Sequence, residues 1–192
     1  MSFLLRFGAW CGALSGLFIA VPGLIEAFVG ETTATSLVIG VSPALAAPLV
    51  TALYVKQPRT VLGTVGYVVN SVGLGLFGAA AYALNVVLFP LGGPTLPAVT
   101  VAVLSGSAAV FAVGTVVFAV SMIKSRVHPP VAAWTYAVAL PVFTFAARLP
   151  DTPLTSALHV LVGGALVWLA RSAYPATRSA ASSSDAIRTS AA

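Results

Sequence analysis

The chain has 192 residues, of which 59% are hydrophobic and only 7% charged, and its mean hydropathy is +1.03. A soluble globule of that size has too little interior to hide so much apolar surface, and its charged fraction would be about 25%, so a soluble fold is excluded. The net charge of +5 comes from residues that flank apolar runs, with no basic stripe interleaved with aromatics, which points to anchoring at anionic lipid and away from nucleic acid.

Six apolar spans are predicted, at residues 4–28, 35–55, 60–89, 98–123, 131–147 and 154–170. Each has the length needed to cross hydrocarbon as a helix, about 17–25 residues or more. The expected fold is therefore an all-α, polytopic six-transmembrane-helix bundle over residues 1–170. A Ser/Ala/Thr-rich tail over 171–192, without apolar period, is expected to be disordered. Threaded this way, eight of the nine basic residues fall on one side: Arg6, Lys56, Arg59, Lys124, Arg126, Arg171, Arg178 and Arg188. Only Arg148 lies opposite, together with the acids Glu26, Glu31 and Asp151. Lys/Arg bias in short loops sets orientation, so both termini are expected in the cytoplasm. Trp10, Trp134 and Trp168 fall near the same end of their helices, as indoles at a headgroup interface do. Arginine outnumbers lysine seven to two in an Ala/Gly/Val-rich chain, a composition that suggests a bacterial inner-membrane protein.

Span one carries Gly8, Gly12 and Gly16 on one stripe, a pattern that lets backbones approach closely, within the chain or in a homo-oligomer or membrane partner. Cys11 is the one cysteine, so no internal disulfide forms. Trp10 beside it disfavours a lipid-attachment site, and the apolar run 7–28 exceeds the 7–15 residues of a cleavable signal's core. Span two contains Pro43 and Pro48, and span five Pro141; these are expected to kink their helices and release backbone carbonyls. The pair occupies equivalent places in a three-plus-three repeat, an arrangement in which transporters bind substrate. Span three is too long to stand straight along the membrane normal. It is expected to tilt, to kink near Gly73, Gly75 and Gly78, or to protrude, with Ser71, Gly75 and Ala79 as a second packing ladder.

Ionisable and amide side chains at membrane depth are costly and mark candidate sites. Here they are Glu26 near the end of span one, Asn70 and Asn85 in span three, and His159 in span six. With Arg148, Asp151 and Glu31 they compose a candidate polar pocket or pathway at the acidic end. No mid-span lysine, no metal-spaced Cys/His/carboxylate set and no nucleotide-binding loop is present, so neither a metal nor a cofactor is expected.

In span four, Ser105-Gly106-Ser107-Ala108 resembles the Gly-x-Ser-Gly nucleophile segment of rhomboid intramembrane proteases, whose base histidine lies on their sixth helix, where this chain has His159. The resemblance implies a Ser107/His159 hydrolase. It spans fewer than ten residues, and it departs from the family at Ser105 and Ala108, where the family has glycines. The leading expectation is a bundle without catalytic machinery that binds or transports a small solute or ion. A non-transporting scaffold or partner-regulating subunit is the alternative, and a rhomboid-like hydrolase the remote one.

Overall fold

The computed structural model describes residues 1–146 and 152–175, and every regular element among them is helical. Arg148, Asp151 and the tail from 176 onward lie outside the described residues. Six helices follow in order: α1 (Ser2–Val29), α2 (Thr33–Lys56), α3 (Val61–Tyr82, continuing into a π-helical turn, Ala83–Leu88), α4 (Ala98–Ser125), α5 (Pro130–Ala146) and α6 (Pro153–Ala173). Five are long and apolar enough to cross a membrane, counting α3 and its π turn as one; α5 is a shorter apolar helix of 17 residues. At 1.5 Å per residue α5 is about 26 Å long, close to the hydrocarbon thickness of about 30 Å. The chain is thus a helical membrane bundle.

Local chemistry sets the helix starts. Thr32 and Thr152 each form a reciprocal capping pair with the threonine three residues on, and Thr60 accepts from the Gly63 N–H at 3.0 Å. Each satisfies N–H groups that the first helical turn leaves over. At the other end of α4, Arg126 takes a left-handed conformation (φ 54°) and the chain turns through Pro129–Pro130 into α5.

The helices form a closed ring. Each packs against its neighbours in sequence, α6 closes on α1, and α2 also meets α6. Glycines set the closeness of these contacts. A Cβ on Gly8 would lie 2.5 Å from the Pro48 carbonyl oxygen, one on Gly12 2.5 Å from Leu49, and one on Gly16 2.5 Å from the Gly163 carbonyl oxygen. The stripe on α1 is therefore covered by α2 and α6 of its own chain, which leaves no bare backbone there for a second molecule.

The α3/α4 contact departs from expectation. Gly75 has nothing near it and Ala79 is exposed, so the ladder Ser71, Gly75, Ala79 is not the packing face. The buried small residues of α3 are Gly63, Gly66 and Gly73; the α4 backbone lies against Gly66 at Phe118 and against Gly73 at Phe111, while Gly63 meets the Ser121 side chain. Gly114 of α4 returns the contact against the Asn70 backbone. With Asn70 between them, Gly63, Gly66 and Gly73 step by three, four and three, which keeps them on one face of a 3.6-residue helix, whereas a strict four drifts around it.

Of the ways expected for span three to absorb its length, a break at Gly73, Gly75 or Gly78 is not the one taken. Its helix stays α-helical past Gly78 and widens to π only at Ala83–Leu88, where the Phe89 N–H bonds the Leu84 carbonyl five residues back at 2.9 Å. The Asn85 amide donates to the Ala81 carbonyl at 2.8 Å, an acceptor that the α-register would assign to the Asn85 backbone N–H. A side chain inserted into the ladder is a recognised cause of such a break.

Candidate functional site

Near the basic end the ring is solid: Leu53, Phe118, Met122, Ala132, Ala133, Leu169 and Ala173 have no exposed surface. Toward the acidic end it is hollow. A cavity of about 120 Å³, to which all six helices contribute, extends from Leu53, Tyr136 and Leu166 at its floor to Glu31 at the surface. Its middle is aromatic, with Phe77 and Phe111 stacked at 5.0 Å between centroids and Phe143 alongside. Its mouth is polar and carries Glu26, Glu31, Asn85, Thr155 and His159.

Each mouth residue is placed by local structure. Glu26, one turn before the end of α1, is only 5% exposed, so it faces the bundle and not the lipid–water boundary. Glu31 follows in the α1–α2 turn and accepts a hydrogen bond from the Ser36 hydroxyl. Asn85 is carried by the π turn, against Gly40, where a Cβ would lie 3.1 Å from that of Asn85. π turns often accompany functional sites because they re-aim a side chain without ending the helix. His159 is 8% exposed, and Gly23 of α1 makes room for its ring: a Cβ there would run into the His159 side chain. The His159 Nδ1 lies 2.8 Å from the Thr155 carbonyl oxygen. A carbonyl only accepts, so Nδ1 carries the hydrogen and the neutral ring keeps Nε2 as an acceptor. The Phe143 and His159 rings meet edge to face, 4.7 Å between centroids and at 84°.

Glu26, Asn85 and His159 are thus brought to one place from three helices. Asn70 is not among them. It has no exposed surface, accepts from the Thr115 hydroxyl at 3.0 Å and donates to the Tyr136 hydroxyl at 3.0 Å, tying α3 to α4 and α5. Its one link to the cavity is Tyr136, whose ring forms part of the floor. Tyr136 and Thr115 were not singled out in the sequence; the signal for them is the need of a buried amide for partners at its own depth. Of the prolines, Pro43 lines the cavity and removes the donor that would bond the Ile39 carbonyl, also on the wall, while Pro141 is not a lining residue. Both α2 and α5 run through their prolines as single helices. Ser15 supports the wall by donating to the Ser42 carbonyl at 2.8 Å.

Ser107 and His159 are not brought together. The Ser107 hydroxyl donates to the Val103 carbonyl at 2.9 Å within α4, and among the described residues α4 and α6 make no contact. A nucleophile and its base must be within hydrogen-bond reach, which this pair is not.

A second polar cluster, also unforeseen, sits at the basic end. Buried His128 places Nδ1 3.0 Å from the Ser172 hydroxyl and Nε2 3.2 Å from the Leu53 carbonyl. Lys56 donates to the Ser172 carbonyl at 2.6 Å, and Ser121 to Gln57 at 2.9 Å. Burial lowers the His128 pKa from its ordinary value; the Leu53 hydrogen bond opposes this and the Lys56 charge adds to it. The cluster ties α2, the α4–α5 turn and α6 together beneath the solid half of the ring.

No family model matches the chain, and no curated protein or solved structure is significantly similar to it.

Proposed function

We propose that the chain is a solute-binding and transport bundle of a bacterial inner membrane, with both termini in the cytoplasm and the cavity opening on the periplasmic side. The observation that carries this reading is the convergence of Glu26, Asn85 and His159, from α1, the π turn and α6, on one cavity to which all six helices contribute. Asn70, Thr115 and Tyr136, by contrast, bond one another outside the mouth and hold helices together. Pockets between helices of a bundle, apolar with a few convergent polar groups, are where small molecules bind. Orientation follows from the basic residues, which bilayer insertion retains on the cytoplasmic side. A partner-binding role would rest on the α1 glycine stripe, which α2 and α6 already cover.

Two measurements test the reading. Ala81→Cys and Ala146→Cys, both on the cavity wall, should react with an impermeant maleimide added outside intact cells; labelling only after permeabilisation would reverse the orientation. In proteoliposomes, solute flux above that of empty vesicles should fall in His159→Ala. Wild-type flux equal to that of empty vesicles across small amines, carboxylates and inorganic ions would refute transport.

A further inference from the structure

We propose that the cavity selects a small organic cation with an apolar body, a primary or substituted amine carrying one ring or a short branched alkyl group. The inference rests on reading the cavity as a binding site, and three independent features of it agree.

Charge is the first. Two carboxylates, Glu26 and Glu31, line the mouth, and no lysine or arginine is among the described lining residues. By sequence, the acidic end as a whole carries Glu26, Glu31 and Asp151 against Arg148, three negatives to one positive. An anion entering there meets like charge, whereas an ammonium meets charge-assisted acceptors. His159, with Nδ1–H committed to the Thr155 carbonyl, presents Nε2 as a further acceptor in its neutral form.

The second is the aromatic middle. Phe77, Phe111, Phe143 and Tyr136 surround the space below the mouth. Aromatic faces carry negative quadrupole potential and attract desolvated cations, while their bulk accepts an apolar body. A sugar or an inorganic ion would find almost no hydrogen-bond partners there.

Size is the third. An apolar cavity of about 150 Å³ holds benzene; this one, at about 120 Å³ and open at the mouth, holds a group of that order. A polycyclic or lipid-sized ligand does not fit within it.

The test uses three probes of nearly equal shape, benzylammonium, benzyl alcohol and benzoate, each measured by equilibrium dialysis against the full-length protein in detergent micelles, with uptake by empty micelles subtracted. Benzylammonium should bind about tenfold or more tightly than benzyl alcohol, and benzoate should bind least. Glu26→Gln should bring benzylammonium to the level of benzyl alcohol measured on the same variant. Equal binding of alcohol and ammonium in the wild type, abolished by the cavity-filling Leu140→Trp, would overturn the cation inference and leave the cavity reading standing. Preference for benzoate would likewise overturn it. Absence of saturable binding by all three would overturn both. Should Glu26→Gln fail to fold, the wild-type ranking of the three probes decides on its own.

Discussion

Asn70 and Asn85 look alike in the sequence, two asparagines in one apolar span, yet the structure assigns them opposite energetic weights. Asn70→Ala deletes two hydrogen bonds between helices, one received from Thr115 and one given to Tyr136, each 3.0 Å long and wholly buried. Interhelical hydrogen bonds in membrane proteins average about 0.6 kcal/mol and reach about 1.7, so the two together stabilise the bundle by about 1–3 kcal/mol. Truncation at Cβ leaves the close backbone contact with Gly114 in place, so the loss reports hydrogen bonding more than helix separation. Asn85→Ala removes only a bond to Ala81 in its own helix and should cost under about 0.5 kcal/mol. The assay is reversible unfolding in mixed micelles, with Tyr136→Phe and the double variant completing a cycle. A coupling of about 0.6 kcal/mol or more between positions 70 and 136 is expected. A stability of Asn70→Ala equal to wild type, or a larger loss for Asn85→Ala, would refute the reasoning.

Other outcomes follow from the same geometry. Gly73→Ala drives a methyl to 2.5 Å from the Phe111 Cα and should destabilise by about 1–3 kcal/mol, while Gly75→Ala, with open space around it, should be neutral or slightly stabilising; paired melting curves check this. Gly23→Ala should displace the His159 ring and weaken benzylammonium binding without loss of monodispersity on gel filtration. His128 has a folded-state pKa below its ordinary 6.5, so on acidification the unfolded chain takes up this proton first. Its contribution is intact above about pH 6.5 and declines as pH drops from there toward the folded value. The apparent Tm should therefore fall more between pH 7 and 5 for wild type than for His128→Asn, and identical slopes would contradict the assignment.

The bundle was legible because hydrocarbon imposes one dominant rule: apolar runs of spanning length, punctuated by charge. The sequence also groups Glu26, Glu31 and His159 with Arg148 and Asp151 at the acidic end; the first three line the mouth, and the other two lie outside the described residues. Finer features were not legible for identifiable reasons. The π turn has no sequence code of its own; the residue that marks it, Asn85, is distinguished only by an amide that reaches back to Ala81. Glycines that meet a helix and glycines that meet lipid read identically, so the ladder 71/75/79 looked as good as the true face at 63, 66 and 73. Tyr136 and Thr115 matter through Asn70, a relation across 66 and 45 residues that no local pattern encodes. The Ser107/His159 pairing failed because two helices of one bundle need not be neighbours.

Closure of α6 onto α1 makes the first and last helices spatial neighbours. The order in which the protein is written is then a convention of where the circle is cut. A gene rearranged so that a flexible linker joins residue 175 to residue 1, with new ends opened between the exposed Pro58 and Arg59, keeps every helix beside its present companions. It also keeps both new ends on the same face of the bilayer. Such a circular permutant should insert and assemble, and the attempt would show whether synthesis from α1 onward is a requirement for making this protein or merely its habit.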